Sequence, residues 1–194
     1  MKKSVRLVSV FAVLFSLFAC AGEEIAKVTP IQELEAPDWV IKGSGAFDDD
    51  KGKIFYGVGS ASNMKNNSLL RTTADNRARN EIAKLFEFYT ASLMKDYMAS
   101  TTAGDPDVSA EEQHVEQAIK TVTSSTLSGV EVIDHWQNPS TGELFSLARL
   151  DLKAFKDNLE KARELNAKAR DYIRENADKL HDELSKEEEK MQER

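Results

Sequence analysis

Tyr56-Gly57-Val58-Gly59-Ser60-Ala61-Ser62-Asn63, YGVGSASN, is the stretch on which the fold turns. It closes a short strand-like run that begins at Ile54 and places Gly-x-Gly just ahead of a long helical pattern. Two kinds of structure ask for that arrangement. A dinucleotide-binding turn needs a third glycine three residues on, at the start of a helix, and then a crossover to a parallel strand. Ser62 stands at the third position, polar residues intervene before Leu69, and the next predicted elements are another helix and a hairpin. The other use is steric. Gly57 and Gly59 share a face of an alternating strand, and the helix that follows carries Ala74 and Ala78 on its own stripe, so the two backbones can approach closely. A packing seam of Gly57, Gly59, Ala74 and Ala78 is the better reading of the stretch.

Outward from the seam, Leu70, Ala74, Ala78, Ile82, Leu85, Tyr89 and Leu93 recur at helical spacing, predicting a helix from Ser68 to about Ser100 with Asn67 or Ser68 as N-cap. Gly104-Asp105-Pro106 ends it. Ser109-Ala110-Glu111-Glu112 fits a capping box for a second helix, with Val115, Ile119 and Val122 inward and Gly129 as the stop. Val130 to Gln137 and Glu143 to Asp151 read as strands joined by the loop Asn138-Pro139-Ser140-Thr141-Gly142. In the second strand Leu144, Ala148 and Leu150 share one face and Phe145 and Leu147 the other, so both faces should be covered.

Leu152 to Arg194 reads as one long charged helix whose apolar stripe includes Ala162, Ala169 and Ala177. An apolar residue is missing at Asn166, where a heptad seam would need one, so the helix should lie on its own sheet rather than in a coiled coil. The fold class is therefore α+β: a thin, mainly antiparallel three-stranded sheet, in the order β-α-α-β-β-α, packed by helices.

The amino terminus is of a different kind. MKKSVRLVSVFAVLFSLFAC has three cations, then an apolar stretch from Leu7 to Ala19 broken only by two serines. That is the layout of an export signal, shorter than the roughly 18 residues of a membrane-spanning helix. Leu17-Phe18-Ala19-Cys20 resembles a lipobox, where cleavage precedes a cysteine that carries diacylglycerol on its thiol and an acyl chain on its amine. Leu17 and Ala19 match, whereas Phe18 stands where a smaller residue is usual. Ala19-Cys20-Ala21 also satisfies an ordinary small-x-small cleavage site, which would release a soluble protein.

Cleavage before Cys20 removes 19 of 194 residues, leaving 175, and takes Lys2, Lys3 and Arg6 with it, moving the formal net charge from -7 to -10. An acidic chain with no basic cluster excludes nucleic acid as the expected partner. Cys20 is the one cysteine, so the folded part must rest on its hydrophobic core without disulfides. Residues 20–36, with Pro30 and Pro37 as breakers, read as a tether.

No constellation of catalytic or ligand-binding residues stands out, and no cofactor or metal is expected. Glu111 and His114 stand three apart as in half a di-iron site, but no second pair exists. His135 alternates with Ile133 on a strand, and His181 lies in the charged helix. Asp48-Asp49-Asp50-Lys51-Gly52 lacks the sixth-position glycine and twelfth-position glutamate of a calcium loop and reads as a solvated turn.

The element order carries three local signatures: YGVGSA at Tyr56 to Ala61, ADNRARNEIAKL at Ala74 to Leu85, and DHW at Asp134 to Trp136 followed by GELFSLARLDL. Together they resemble the LPP-twenty family of bacterial lipoproteins and, more distantly, the lipoprotein of flagellar basal discs. The resemblance covers residues 37–152, with residues 1–19 as signal and 153–194 as an additional helix. It implies a small α/β domain on the outer membrane without catalytic residues, some relatives of which assemble into rings or discs. Ala21, rather than aspartate, after Cys20 implies outer-membrane sorting. The expectation is a non-enzymatic, lipid-anchored component of the cell envelope. It would meet another copy, or an envelope partner, through the two-sided strand or the alanine-rich last helix. The alternative is a periplasmic small-ligand-binding module or enzyme.

Overall fold

The computed structural model of the chain describes residues 35–49, 52–101 and 108–192, so Cys20, the signal and most of the tether lie outside the described residues. In chain order the elements are α1 (Asp38–Lys42), β1 (Gly45–Asp49), β2 (Gly52–Ala61), α2 (Asn67–Thr101), α3 (Val108–Leu127), β3 (Glu131–Gln137), β4 (Leu144–Asp151), α4 (Leu152–Lys161) and α5 (Ala167–Gln192). The strands form one antiparallel sheet in the order β1-β2-β4-β3.

Three expectations need correction. The sheet has four strands, because part of the segment read as turn residues is β1, paired from Gly45↔Tyr56 to Asp49↔Gly52. Gly and Asp are poor strand formers, so local propensity hid an element that pairing with β2 creates. The order of elements also gains the short helix α1. The last helix is two helices: at the break Asn166 Oδ1 accepts from Ala169 N at 2.7 Å as an N-cap, and Arg170 donates to the carbonyls of Ala162 (3.1 Å) and Leu165 (2.7 Å). Finer differences fall at helix starts. Asn66 caps α2, its Oδ1 accepting from Ser68 N at 2.9 Å and Leu69 N at 3.1 Å. Ser109 lies within α3 rather than ahead of it.

The helices divide unequally between the two faces of the sheet. Phe55, Gly57 and Gly59 of β2 pair with Leu150, Ala148 and Ser146 of β4, and this face receives α2. The core is centred on Phe55, edge-on to Phe86 at 5.3 Å and Tyr89 at 5.0 Å, with Phe155 of α4 edge-on to Phe86 at 5.3 Å. Helix α5 packs on β1 and α2, burying Ala169, Ile173 and Ala177 completely. Those alanines are closed inside the fold, not held out to another copy.

The opposite face carries α1. Val58, Leu147 and Asp134 form one row across three strands. Ser44, just after α1, accepts from Val58 N at 2.8 Å, and Trp39 within it donates from Nε1 to Asp134 at 3.0 Å. A single turn of helix thus crosses the sheet. The edge of β2 beyond β1 is closed by the same Ser44 and by Arg77, which donates to Ser60 O at 2.5 Å.

At about 1.5 Å per residue α2 is roughly 52 Å long, against roughly 34 Å for β2. Its overhang has no strand to lie on and packs instead against α3.

Candidate functional site

The seam is a contact between backbones. A side-chain carbon on Gly57 would lie 2.2 Å from the carbonyl oxygen of Ala78, and one on Gly59 would lie 2.6 Å from that of Ala74. Both glycines are buried, and Ala74 and Ala78 have no exposed surface. The glycines face helix backbone, leaving no space there for a phosphate.

Beside the seam α2 and the β3–β4 pair share a polar cluster. Asp75 Oδ1 accepts from Ser146 Oγ at 2.8 Å and lies 2.6 Å from His135 Nε2, while His135 Nδ1 lies 3.3 Å from Arg71. Arginine can only donate, so Nδ1 is the acceptor, and the imidazole proton sits on Nε2 and points at Asp75. Burial pushes the Asp75 carboxyl up, but the hydrogen bonds from Ser146 and His135 and the nearby charge of Arg71 outweigh it and hold the group below the ordinary aspartate value.

Serine, histidine and aspartate therefore meet, but in an order that serves no hydrolase. A triad needs the imidazole between serine and carboxylate, so that it can take the serine proton. Here the carboxylate is in the middle, and Ser146, fully buried, donates to it. The cluster ties α2 to the strands. Sequence reasoning missed Asp75 and Ser146, although Ser146 shares the inward face of β4 with Leu144 and Ala148, where a polar residue in an apolar alternation is a visible signal.

The remaining named residues are scattered. A bulge between Val132 and Asp134 breaks the expected alternation and leaves Ile133 exposed, so His135 points toward α2. His114 is exposed on α3. His181 is fully buried within α5, edge-on to Phe55 at 5.0 Å with Nε2 3.1 Å from Ile54 O, and so belongs to the core rather than to a charged surface. Asp48 and Asp49 lie in β1, while Asp50 is outside the described residues. Among the described residues no group of three or more His, Cys, Asp or Glu side chains could hold a metal ion.

The overhang of α2 leaves a groove of about 750 Å³ against α3, floored by Met94, Met98 and Ile119 and rimmed by Glu87, Lys95, Glu116 and Lys120. It shares no residue with the polar cluster.

A four-stranded antiparallel sheet with a long helix locked onto it through glycines, and with its polar cluster tying elements together, defines a small α+β packing domain. The chain belongs to the LPP20 lipoprotein family, whose model matches residues 37–151. The match begins one residue before α1 and ends at Asp151, whose side chain caps α4 by accepting from Lys153 N at 2.9 Å. LPP20 lipoproteins are not a known enzyme family. Among curated proteins none matches the chain. No helix among the described residues is long and apolar enough to cross a membrane.

Proposed function

We propose that the protein is a non-enzymatic lipoprotein of the bacterial outer membrane, held there by acyl chains on Cys20, and that it serves as a structural or interaction component of the envelope. The observation that carries this reading is membership of a lipoprotein family in a chain whose one cysteine closes a segment with the layout of an export signal. More than one acyl chain is required, because a single one holds a protein only marginally and reversibly. The order of Ser146, Asp75 and His135 supports the non-enzymatic part, since it leaves no activated nucleophile. Cys20→Ala tests the anchor: fatty-acid labelling should disappear and the protein should move to the soluble periplasmic fraction. Retention in the membrane fraction would overturn it. Self-assembly belongs to the same proposal and would show as a species larger than a monomer in light scattering of the anchor-free chain.

A further inference from the structure

The groove between α2 and α3 has the chemistry of a ligand site. Its floor is apolar and rich in methionine, a flexible side chain that adapts to ligands of irregular shape. The lining runs from Glu87 to Met98 on α2 and from Glu116 to Leu127 on α3, roughly 17 Å of helix at 1.5 Å per residue. The volume, about 750 Å³, lies within the range of small-molecule pockets, about 300 to 1,000 Å³.

Among the described residues two polar groups in it are left over by the pairing of the rest. Lys120 is paired with Glu116 at 2.7 Å, whereas Lys95, on the opposite rim, makes no ion pair among the described residues. The second is Thr123, 7% exposed, whose Oγ1 has no hydrogen-bond partner among the described residues. Its neighbours show that this is unusual, because Thr121 and Thr126 on the same helix return their hydroxyls to the carbonyls of Gln117 (3.1 Å) and Val122 (2.8 Å). A buried hydroxyl left without a partner costs stability, and a ligand's polar atom would remove that cost. Glu87, two turns from Lys95 along α2, excludes an anion from its own end of the rim and leaves Lys95 as the place for negative charge.

We propose that this groove binds a single-chain anionic amphiphile, a free fatty acid. The carboxylate is taken by Lys95 and Thr123 Oγ1, and the chain lies over Met94, Met98 and Ile119. The site is independent of the anchor, so its failure and that of the proposed attachment at Cys20 are separate results.

The test uses the chain from residue 20 onward, with Cys20→Ala so that no acyl group is attached, titrated calorimetrically below micelle formation. The probes are laurate and dodecyltrimethylammonium, which share a chain and differ in the sign of the head. Laurate should bind saturably, one to one, and at least tenfold more tightly than the cation. Lys95→Glu, a rim change that leaves the core untouched, should weaken laurate at least tenfold and remove the preference. Thr123→Val should weaken laurate by about two- to tenfold, the value of one hydrogen bond. Ala91→Trp, which fills the groove, should abolish both. Equal binding of the two probes with no effect of Lys95→Glu would overturn the proposal. So would the absence of saturable laurate binding, or a dimer dissociated by Ala91→Trp, which would give the groove to a second copy.

Discussion

The phenol of Tyr89 donates to the backbone carbonyl of Ala177 at 2.7 Å, inside the core, and joins two helices 88 residues apart in the chain. Burial and then the charge of Asp178 push this phenol far above its ordinary value, so it remains a donor at any pH the fold survives. The family match stops at Asp151, yet part of the core is closed from beyond it, by α5. Tyr89→Phe should cost about 0.5 to 1.5 kcal/mol in urea unfolding. A chain ending at Asp151 loses Phe155, Ile173 and Ala177 from the core and should lack a cooperative melt. A cooperative melt at the full chain's temperature would make α5 an accessory.

Gly59→Leu should destabilise the domain by about 1 to 3 kcal/mol or more, because the new side chain meets helix backbone that cannot move aside locally. Thermal unfolding checks this. An unchanged melting temperature would remove the steric account of the Gly-x-Gly stretch.

Asp75→Ala should cost about 1 to 3 kcal/mol, since it leaves the buried Ser146 hydroxyl without its acceptor. The pH dependence has a definite sign. The folded-state pKa of Asp75 is lowered, so its contribution is present above the unfolded value of 3.8 and is lost as pH falls through the folded value. Acid unfolding of Asp75→Asn should lack that component, and identical acid profiles for variant and parent would exclude it.

Glu188 predicts the opposite slope. Its carboxylate accepts from Ala46 N at 2.9 Å against the free edge of β1, and burial pushes its pKa up to about 7, with the Ala46 amide opposing. A group raised in the folded state contributes stability that is complete below the unfolded value of 4.5 and fades as pH rises through about 7. Urea midpoints should therefore fall between pH 5 and pH 8. Glu188→Gln keeps an acceptor for Ala46 and should flatten that change, so a slope surviving in the variant would assign it elsewhere.

Much of this architecture was legible because two periodicities are strong. The stripe through Ala74, Ala78 and Ile82 and the alternation through Leu144, Ala148 and Leu150 marked α2 and β4, and Pro-containing loops marked their ends. What stayed hidden depended on partners distant in sequence. Strand β1 exists because Ala46 and Phe47 pair with Phe55 and Ile54, whereas its own Gly and Asp residues signal a turn. The break before α5 was marked by Asn166, which stood out as the residue that spoiled a heptad before its capping role was visible. The polar cluster was half legible. His135 could be named, but its partner Asp75 is a polar residue beside an apolar stripe, and only the docking of α2 brings the two together.

The position of α1 has a mechanical consequence. The chain enters the described fold at this one short helix, which is fastened at its two ends by the hydrogen bonds from Trp39 to Asp134 and from Val58 to Ser44. Tension arriving from the amino-terminal side would load those two bonds first and peel α1 along the sheet. That five-residue strap would give way before the strands and the seam beneath them separate.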